Sequence, residues 1–157
     1  MNNEWVHFRG HGLSLLVSYE TLEIWESFRQ KKPEATEKFG VIIGSRSEGK
    51  DEYWVESVTT PFPKDKSTRF GFMLQDRDHQ NAVDMAFKKS RGTSVYQGTW
   101  HTHPEHIPTP SAIDILDWLA CTTRNSGKQL FFVIVGVKEV HVYVRKGVHF
   151  RKMMVEG

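Results

Sequence analysis

The apolar positions of this chain switch between helical and strand spacing, and each switch marks an element. Leu13 to Val17 is a short apolar run that predicts a first strand. From Tyr19 to Lys32, Leu22, Trp25 and Phe28 recur about one turn apart, which predicts an amphipathic helix. Glu20 and Glu23 stand early in it and Lys31 and Lys32 at its end, the order a helix dipole favours, and Pro33 stops it. Val41-Ile42-Ile43, closed by Gly44, predicts a buried strand. After a polar turn over Ser45 to Asp51, Tyr53 to Thr59 predicts the next strand, until Pro61 and Pro63 break it. Within Lys64 to Gln75, Phe70, Phe72 and Leu74 alternate with Gly71, Met73 and Gln75, so a short strand is expected inside a loop. Ala82, Val83, Ala86 and Phe87 return to helical spacing, with Gly92 placed for the C-terminal cap. Val95 to Trp100 predicts a strand. Ser111 to Arg124 predicts a helix whose apolar stripe is Ala112, Ile115, Leu116, Leu119 and Ala120. Leu130 to Val137 is the nearly continuous run of a central strand buried on both faces. Val140 to Val144 follows a turn, and Val148 to Val155 is expected as an edge strand. The pattern specifies an α/β or α+β domain: one mixed sheet of about six strands with three helices packed on it.

Composition narrows the class. The chain has 157 residues, with no repeat, low-complexity segment or linker to divide it, so 1–157 is expected to be one domain. Charged residues are 25% and apolar residues 38%, which argues against disorder and against membrane spanning. Met1 to Gly10 lacks the apolar core of a signal peptide. A single cysteine, Cys121, offers no disulfide framework and suits a reducing cytoplasm; its mid-helix position predicts packing. The net charge of +2 is too small to call for nucleic acid, and the basic groups Lys88, Lys89, Arg91 and Lys146, Arg151, Lys152 read as solvated faces. Neither a nucleic acid nor a membrane is expected as a partner.

Candidate chemistry concentrates in one stretch. His101 and His103 are one residue apart, so both rings project from the same face of a strand, and Pro104 ends that strand. Six residues on, Ser111-Ala112-Ile113-Asp114 opens a helix. Two imidazoles and a carboxylate, with a fourth position left to water, are the donor set of a catalytic zinc ion. Pro104, Pro108 and Pro110 stiffen the connecting loop. Each piece also has a plain reading: the histidines as a surface pair, and Ser111 with Asp114 as a helix cap. His106 fits no strand or helix register, and His7, His11, His79, His141 and His149 are scattered and carry no assigned chemistry. Metal-dependent (β/α)8 barrels also use His-x-His at a strand end, but they need about 250 residues.

Taken together, His101-Thr102-His103-Pro104, the gap and Ser111-x-x-Asp114 resemble the signature of the JAMM metalloproteases (MPN+ or JAB domain). That family places a glutamate just before a glycine-containing strand, and Glu37-Lys38-Phe39-Gly40-Val41-Ile42-Ile43-Gly44 fills the place, departing at Lys38 and Phe39 from a small residue and glycine. Glu34 is the competing glutamate. The resemblance extends over most of the chain and implies a curved JAB/MPN-type sheet. It further implies one zinc per chain held by His101, His103 and Asp114, with Glu37 activating the water and Ser111 hydrogen-bonding the oxyanion. The reaction implied is peptide or isopeptide hydrolysis.

The compact length resembles the stand-alone bacterial members that accompany ubiquitin-like conjugation machinery in CBASS anti-phage operons. By that resemblance the substrate is a protein with an extended C-terminal tail, or its lysine conjugate. The leaving protein would be a cGAS-like nucleotidyltransferase (CD-NTase), the cyclic-oligonucleotide synthase, joined to targets by an E1-E2-like enzyme. A sulfur-carrier or other ubiquitin-like tail is the runner-up, and a non-catalytic MPN scaffold the alternative outside enzymology. A tail adding as a strand along Arg69 to Gln75 would make Phe70 and Phe72 substrate contacts; their other reading is core beneath the second helix.

Overall fold

The computed structural model describes residues 4–156, so the N-terminal expectation for Met1–Gly10 is addressed only from residue 4 onward. In chain order the elements are β1 Trp5–Gly10, β2 Leu13–Ser18, α1 Tyr19–Ser27, β3 Phe39–Arg46, β4 Glu52–Val58, β5 Lys66–Thr68 and β6 Gly71–Met73. Then come α2 Asp78–Lys89, β7 Val95–Thr102, α3 Ala112–Arg124, β8 Phe131–Val135, β9 Val140–Lys146 and β10 His149–Val155. The mixed α+β class and the three helices agree with the sequence pattern. The strand count and the edges do not.

Eight strands close into a barrel in the order β1-β10-β9-β8-β7-β3-β4-β2, where a curved sheet of about six strands with an edge strand was expected. The unexpected strand is β1, whose Phe8 and Arg9 pair antiparallel with Val155 and Met154 of β10. The segment expected at an edge is therefore the one that closes the ring, which leaves its hydrogen-bonding edge paired on both sides. No local pattern announces this, because β1 and β10 lie at opposite ends of the sequence. Two of the pairings are parallel, β2 with β4 and β7 with β8; the rest are antiparallel. The short strand foreseen near Phe72 is half of a separate β5–β6 hairpin.

Alternation along β8 explains its unbroken apolar run. Phe131, Val133 and Val135 join the inner cluster with Phe8, Leu15, Val17, Ile42, Val55, Trp100, Val142 and Met153. Phe132 and Ile134 face the other way, onto Trp118 and Cys121 of α3. Helix α3 thus buries Asp114, Trp118 and Cys121, spaced i, i+4, i+7, while of the stripe read from the sequence Ile115 packs on this cluster and Leu119 is half-buried. Ala112, Leu116 and Ala120 are exposed, and Ile113 and Leu116 remain 77% and 67% accessible. Trp118 decides the rotation: its indole stacks on Phe132 at 5.1 Å and meets Tyr143 and Phe150 at 5.4 and 5.3 Å. One large aromatic outweighs several small aliphatic residues in area removed from water.

Helix α1 starts on an N-cap, Ser18, whose Oγ accepts from Thr21 N–H, but it ends at Ser27 rather than Lys32. The chain turns away there because Gln30 is buried. Its amide donates to the carbonyls of Ala35 and Arg69 and its Oε1 accepts from Thr102 Oγ1, bonds a continuing helix would not supply. Gly40 permits the crossing of β3 and β4, since a Cβ there would run into the Thr59 carbonyl oxygen that Trp100 Nε1 occupies as donor at 2.8 Å.

Candidate metal and catalytic site

Strand β7 carries His101 and ends at Thr102, so His103, expected on the same strand, follows one residue past its end. Trp100 turns into the barrel cluster while His101 turns outward, beneath Trp118 at 6.4 Å and Phe72 at 5.1 Å. Beyond the strand end, His103 is held by its N–H bond to the carbonyl of Val135 at 3.0 Å. The two Nε2 atoms come within 3.0 Å of each other. Helix α3 begins opposite them. Ser111 is its N-cap: the Ser111 Oγ accepts from Asp114 N–H at 3.1 Å, and Ser111 N–H donates to Asp114 Oδ2 at 2.9 Å. That capping box fixes the Asp114 carboxylate, which places Oδ1 3.3 Å from His101 Nε2 and Oδ2 3.1 Å from His103 Nε2. Capping and convergence on the histidines coexist, so the plain reading of the Ser-x-x-Asp pair and the chemical one hold together.

These spacings suit an ion. Ligands about 2.0–2.1 Å from a tetrahedral centre lie about 3.3 Å apart, close to the 3.0 Å between the two imidazole nitrogens and the 3.3 and 3.1 Å from each to one oxygen of the Asp114 carboxylate. Protonation favours ligation at His101 and Asp114 and opposes it at His103. Burial holds His101 below its ordinary pKa, outweighing Asp114, and so favours the neutral imidazole. Burial acts to raise Asp114, but hydrogen bonds from His101, His103 and Ser111 N–H prevail and hold it well below the usual carboxylate range. Burial would lower His103, yet Asp114, Glu105 and Glu37 raise it. Glu105 accepts from His103 Nδ1 at 3.1 Å and from Thr109 N–H at 3.2 Å, which turns the other ring nitrogen toward Asp114.

Glu37 sits just outside this triangle. Its Oε2 is 4.0 Å from His103 Nε2, and its donors and those of His101 and His103 lie within 4.8 Å of one another. Glu37 is buried beside the histidines and lines the groove, whereas Glu34 is exposed and belongs to neither. Burial pushes the Glu37 carboxyl up to about 8, against the attraction of His103 and reinforced by Asp114. The backbone holds it in place: Glu37 N–H donates to Thr68 of β5 at 2.7 Å, and Lys38 N–H donates to Thr102 Oγ1 at 2.9 Å.

The hairpin carries the expected pair of phenylalanines to different environments. Phe72 stacks on Phe39 at 4.5 Å and roofs His101, while Phe70 is 76% exposed with Arg69 over its ring. Phe39, a departure from the glycine of the family pattern, is thus the pillar under the hairpin. A second anchor escaped the sequence. His79 of α2 is buried, its Nε2 2.6 Å from Asp65 Oδ2 and its Nδ1 2.6 Å from Thr59 Oγ1. Asp65 also accepts from the backbone N–H groups of Phe62, Gln75 and Asp76. Burial alone would raise Asp65, but these bonds and His79 hold it below its ordinary value. His79 lies in helical register with a polar neighbourhood, and only its burial distinguishes it from an exposed histidine. His106 is exposed, and Cys121 is buried with its Sγ 3.0 Å from Tyr96 Oη; burial raises its thiol pKa.

The site opens into a groove of about 990 Å³ whose walls are α2 with the hairpin on one side and α3 on the other. Glu37, Ser111 and Asp114 line one end of it. No helix among the described residues is long and apolar enough to cross a membrane.

Comparison with known proteins shows the family to which the chain belongs. A protein of Escherichia coli (strain TW11681) called CD-NTase/cGAS isopeptidase is 31% identical over 140 residues, covering 89% of this chain and 87% of that protein. A protein of the same description from Vibrio cholerae is 35% identical over 132 residues, covering 83% of this chain and 75% of its own length. The solution structure of a Desulfitobacterium hafniense protein shares the fold, with a TM-score of 0.58 at 24% identity over 88% of this chain and 87% of that one. Residues 22–150, which include every residue of the site, match the family described as prokaryotic homologs of the JAB domain, and the chain belongs to that family.

Proposed function

We propose that this protein is a zinc-dependent isopeptidase that severs the bond between the C-terminal tail of a conjugated protein and a lysine side chain of its target. The observation that carries the reading is the convergence of His101, His103 and Asp114 donors at 3.0–3.3 Å, with the buried Glu37 alongside, at one end of a long groove. His101, His103 and Asp114 would hold one zinc ion. When bound, zinc supplies Lewis-acid polarisation of the scissile carbonyl and a more acidic water. Glu37, buried beside the histidines, would in its ionised form take the proton of the attacking water and pass it to the departing lysine amine. The Ser111 hydroxyl uses a lone pair for Asp114 N–H, so its proton is free to be donated to the oxyanion. The exposed edge of the hairpin offers a main-chain template for an extended tail, with Phe70 at its rim.

The relatives' description supports a CD-NTase as the protein released, and hence a place in CBASS signalling beside a conjugating enzyme. The test is a purified CD-NTase–target conjugate incubated with the enzyme, with and without chelator. Release that is abolished by chelator and by Glu37→Ala, with zinc still bound to that variant, is the expected result. Loss of zinc from Glu37→Ala would reassign Glu37 as a ligand, and stoichiometric zinc retained by His103→Ala would refute the ligand set. A protein that binds no zinc at all would instead be a scaffold.

A further inference from the structure

The groove is charged in opposite senses at its two ends. Near the site it carries the carboxylates of Asp114 and Asp117. At the far end, where β7 begins at Val95 and α3 runs out, Arg124 and Lys128 line it. Among the described residues neither cation forms an ion pair with a carboxylate. The opposite wall ends in the same way: Phe87 of α2 lines the groove, and Lys88, Lys89 and Arg91 follow it, all exposed. Lys88, Lys89 and Arg124 stand in the last turns of α2 and α3, where the helix dipole favours cations, and Arg124 and Lys128 in addition line the groove itself.

We propose that the groove selects protein tails bearing an acidic side chain about five residues before the scissile carbonyl, seated against Arg124 and Lys128. This rests on the isopeptidase reading and deepens it. The position follows from length. Asp114 and Arg124 lie on one helix, ten residues apart, which at about 1.5 Å per residue is about 15 Å. An extended peptide advancing about 3.3 Å per residue covers that distance in four to five residues. Asp84 and Asp117 line the groove nearer its middle, so an acid placed closer to the scissile bond meets like charge. Register and sign are therefore set together. Exposed ion pairs contribute only a few-fold each, so the two cations together give a preference on the order of tenfold.

The experiment uses the full chain carrying Glu37→Gln, zinc-loaded, and labelled tail peptides in which Glu, Ala or Lys is scanned through the seven positions before the C-terminal carbonyl. Binding is read by fluorescence anisotropy. The expected result is about tenfold tighter binding of the Glu than the Lys peptide at the fourth to sixth positions only, inverted when Arg124→Glu and Lys128→Glu are added, and weakened by salt. Arg124→Ala alone should give a partial loss. No positional preference, or one that survives the double reversal, overturns the proposal, as does displacement of the acidic peptide by a single-stranded oligonucleotide at lower concentration than by unlabelled peptide. Cleavage of the corresponding isopeptides by the unmutated chain is measured in parallel. Cleavage without acid preference defeats this inference alone, whereas acid preference without cleavage defeats the isopeptidase reading and leaves the groove's selectivity standing.

Discussion

The capping role of Ser111 and the oxyanion-donor role proposed for it can be told apart by a pair of substitutions. Its Oγ accepts from Asp114 N–H at 3.1 Å, which caps α3, and its own proton is free for an oxyanion. Replacing a serine N-cap by alanine costs about 1 kcal/mol, whereas replacing it by glycine costs a few tenths. For a domain of this size about 1 kcal/mol lowers Tm by roughly 3 °C. Losing one oxyanion donor costs about 2.7–4 kcal/mol of transition-state stabilisation, a fall of about 10²–10³ in kcat. Ser111→Ala and Ser111→Gly should therefore differ in Tm and agree in their loss of kcat, with KM and zinc content close to the unmutated values. The assay pairs thermal unfolding with initial rates on a fluorogenic isopeptide and metal analysis of the same preparations. If both variants keep full kcat while Ser111→Ala shows the cap deficit, Ser111 is a helix cap only. Asp114 makes the control meaningful, because its carboxylate is placed by the same box: zinc loss in either variant would show that the box, not the hydroxyl proton, is what catalysis needs.

Glu105→Ala removes the acceptor on His103 Nδ1 and should weaken zinc binding by about 10- to 100-fold, with activity restored by excess zinc; unchanged affinity would strip Glu105 of that orienting role. His79→Ala leaves Thr59 Oγ1 without its ring partner and loosens the clamp on Asp65, at a cost of about 2–3 kcal/mol and a Tm lower by roughly 6–10 °C. Asp65 adds a pH signature. Its folded pKa lies below the ordinary 3.8, so its stabilisation is complete above that value and is lost as pH falls through the folded one. The stability deficit of Asp65→Asn should then be largest near neutrality and shrink below about pH 4 in acid-unfolding curves; a deficit constant with pH would place the effect outside this carboxylate.

What the sequence determined by itself was local. A strand alternates, so His101 and His103 were expected to share a face; a helix start needs a cap, so Ser111 and Asp114 had to stand together; and β8 read as a buried strand because both of its faces are apolar. The glutamate came from the resemblance, and burial separates Glu37 from Glu34. Only the tertiary structure decided the rest. Barrel closure depends on β1 meeting β10 from opposite ends of the chain, a non-local pairing that no window of sequence contains. The rotation of α3 depends on where Trp118 finds Phe132, which leaves Ala112, Leu116 and Ala120 of the aliphatic stripe exposed. The Asp65–His79–Thr59 link joins three separate segments, and the charge gradient of the groove arises from α2 and α3 facing each other across β7. Periodicity and capping act over a few residues, so they are written along the chain. Burial, closure and the field inside a groove are properties of residues far apart in sequence, and they come into being only when the fold brings those residues together.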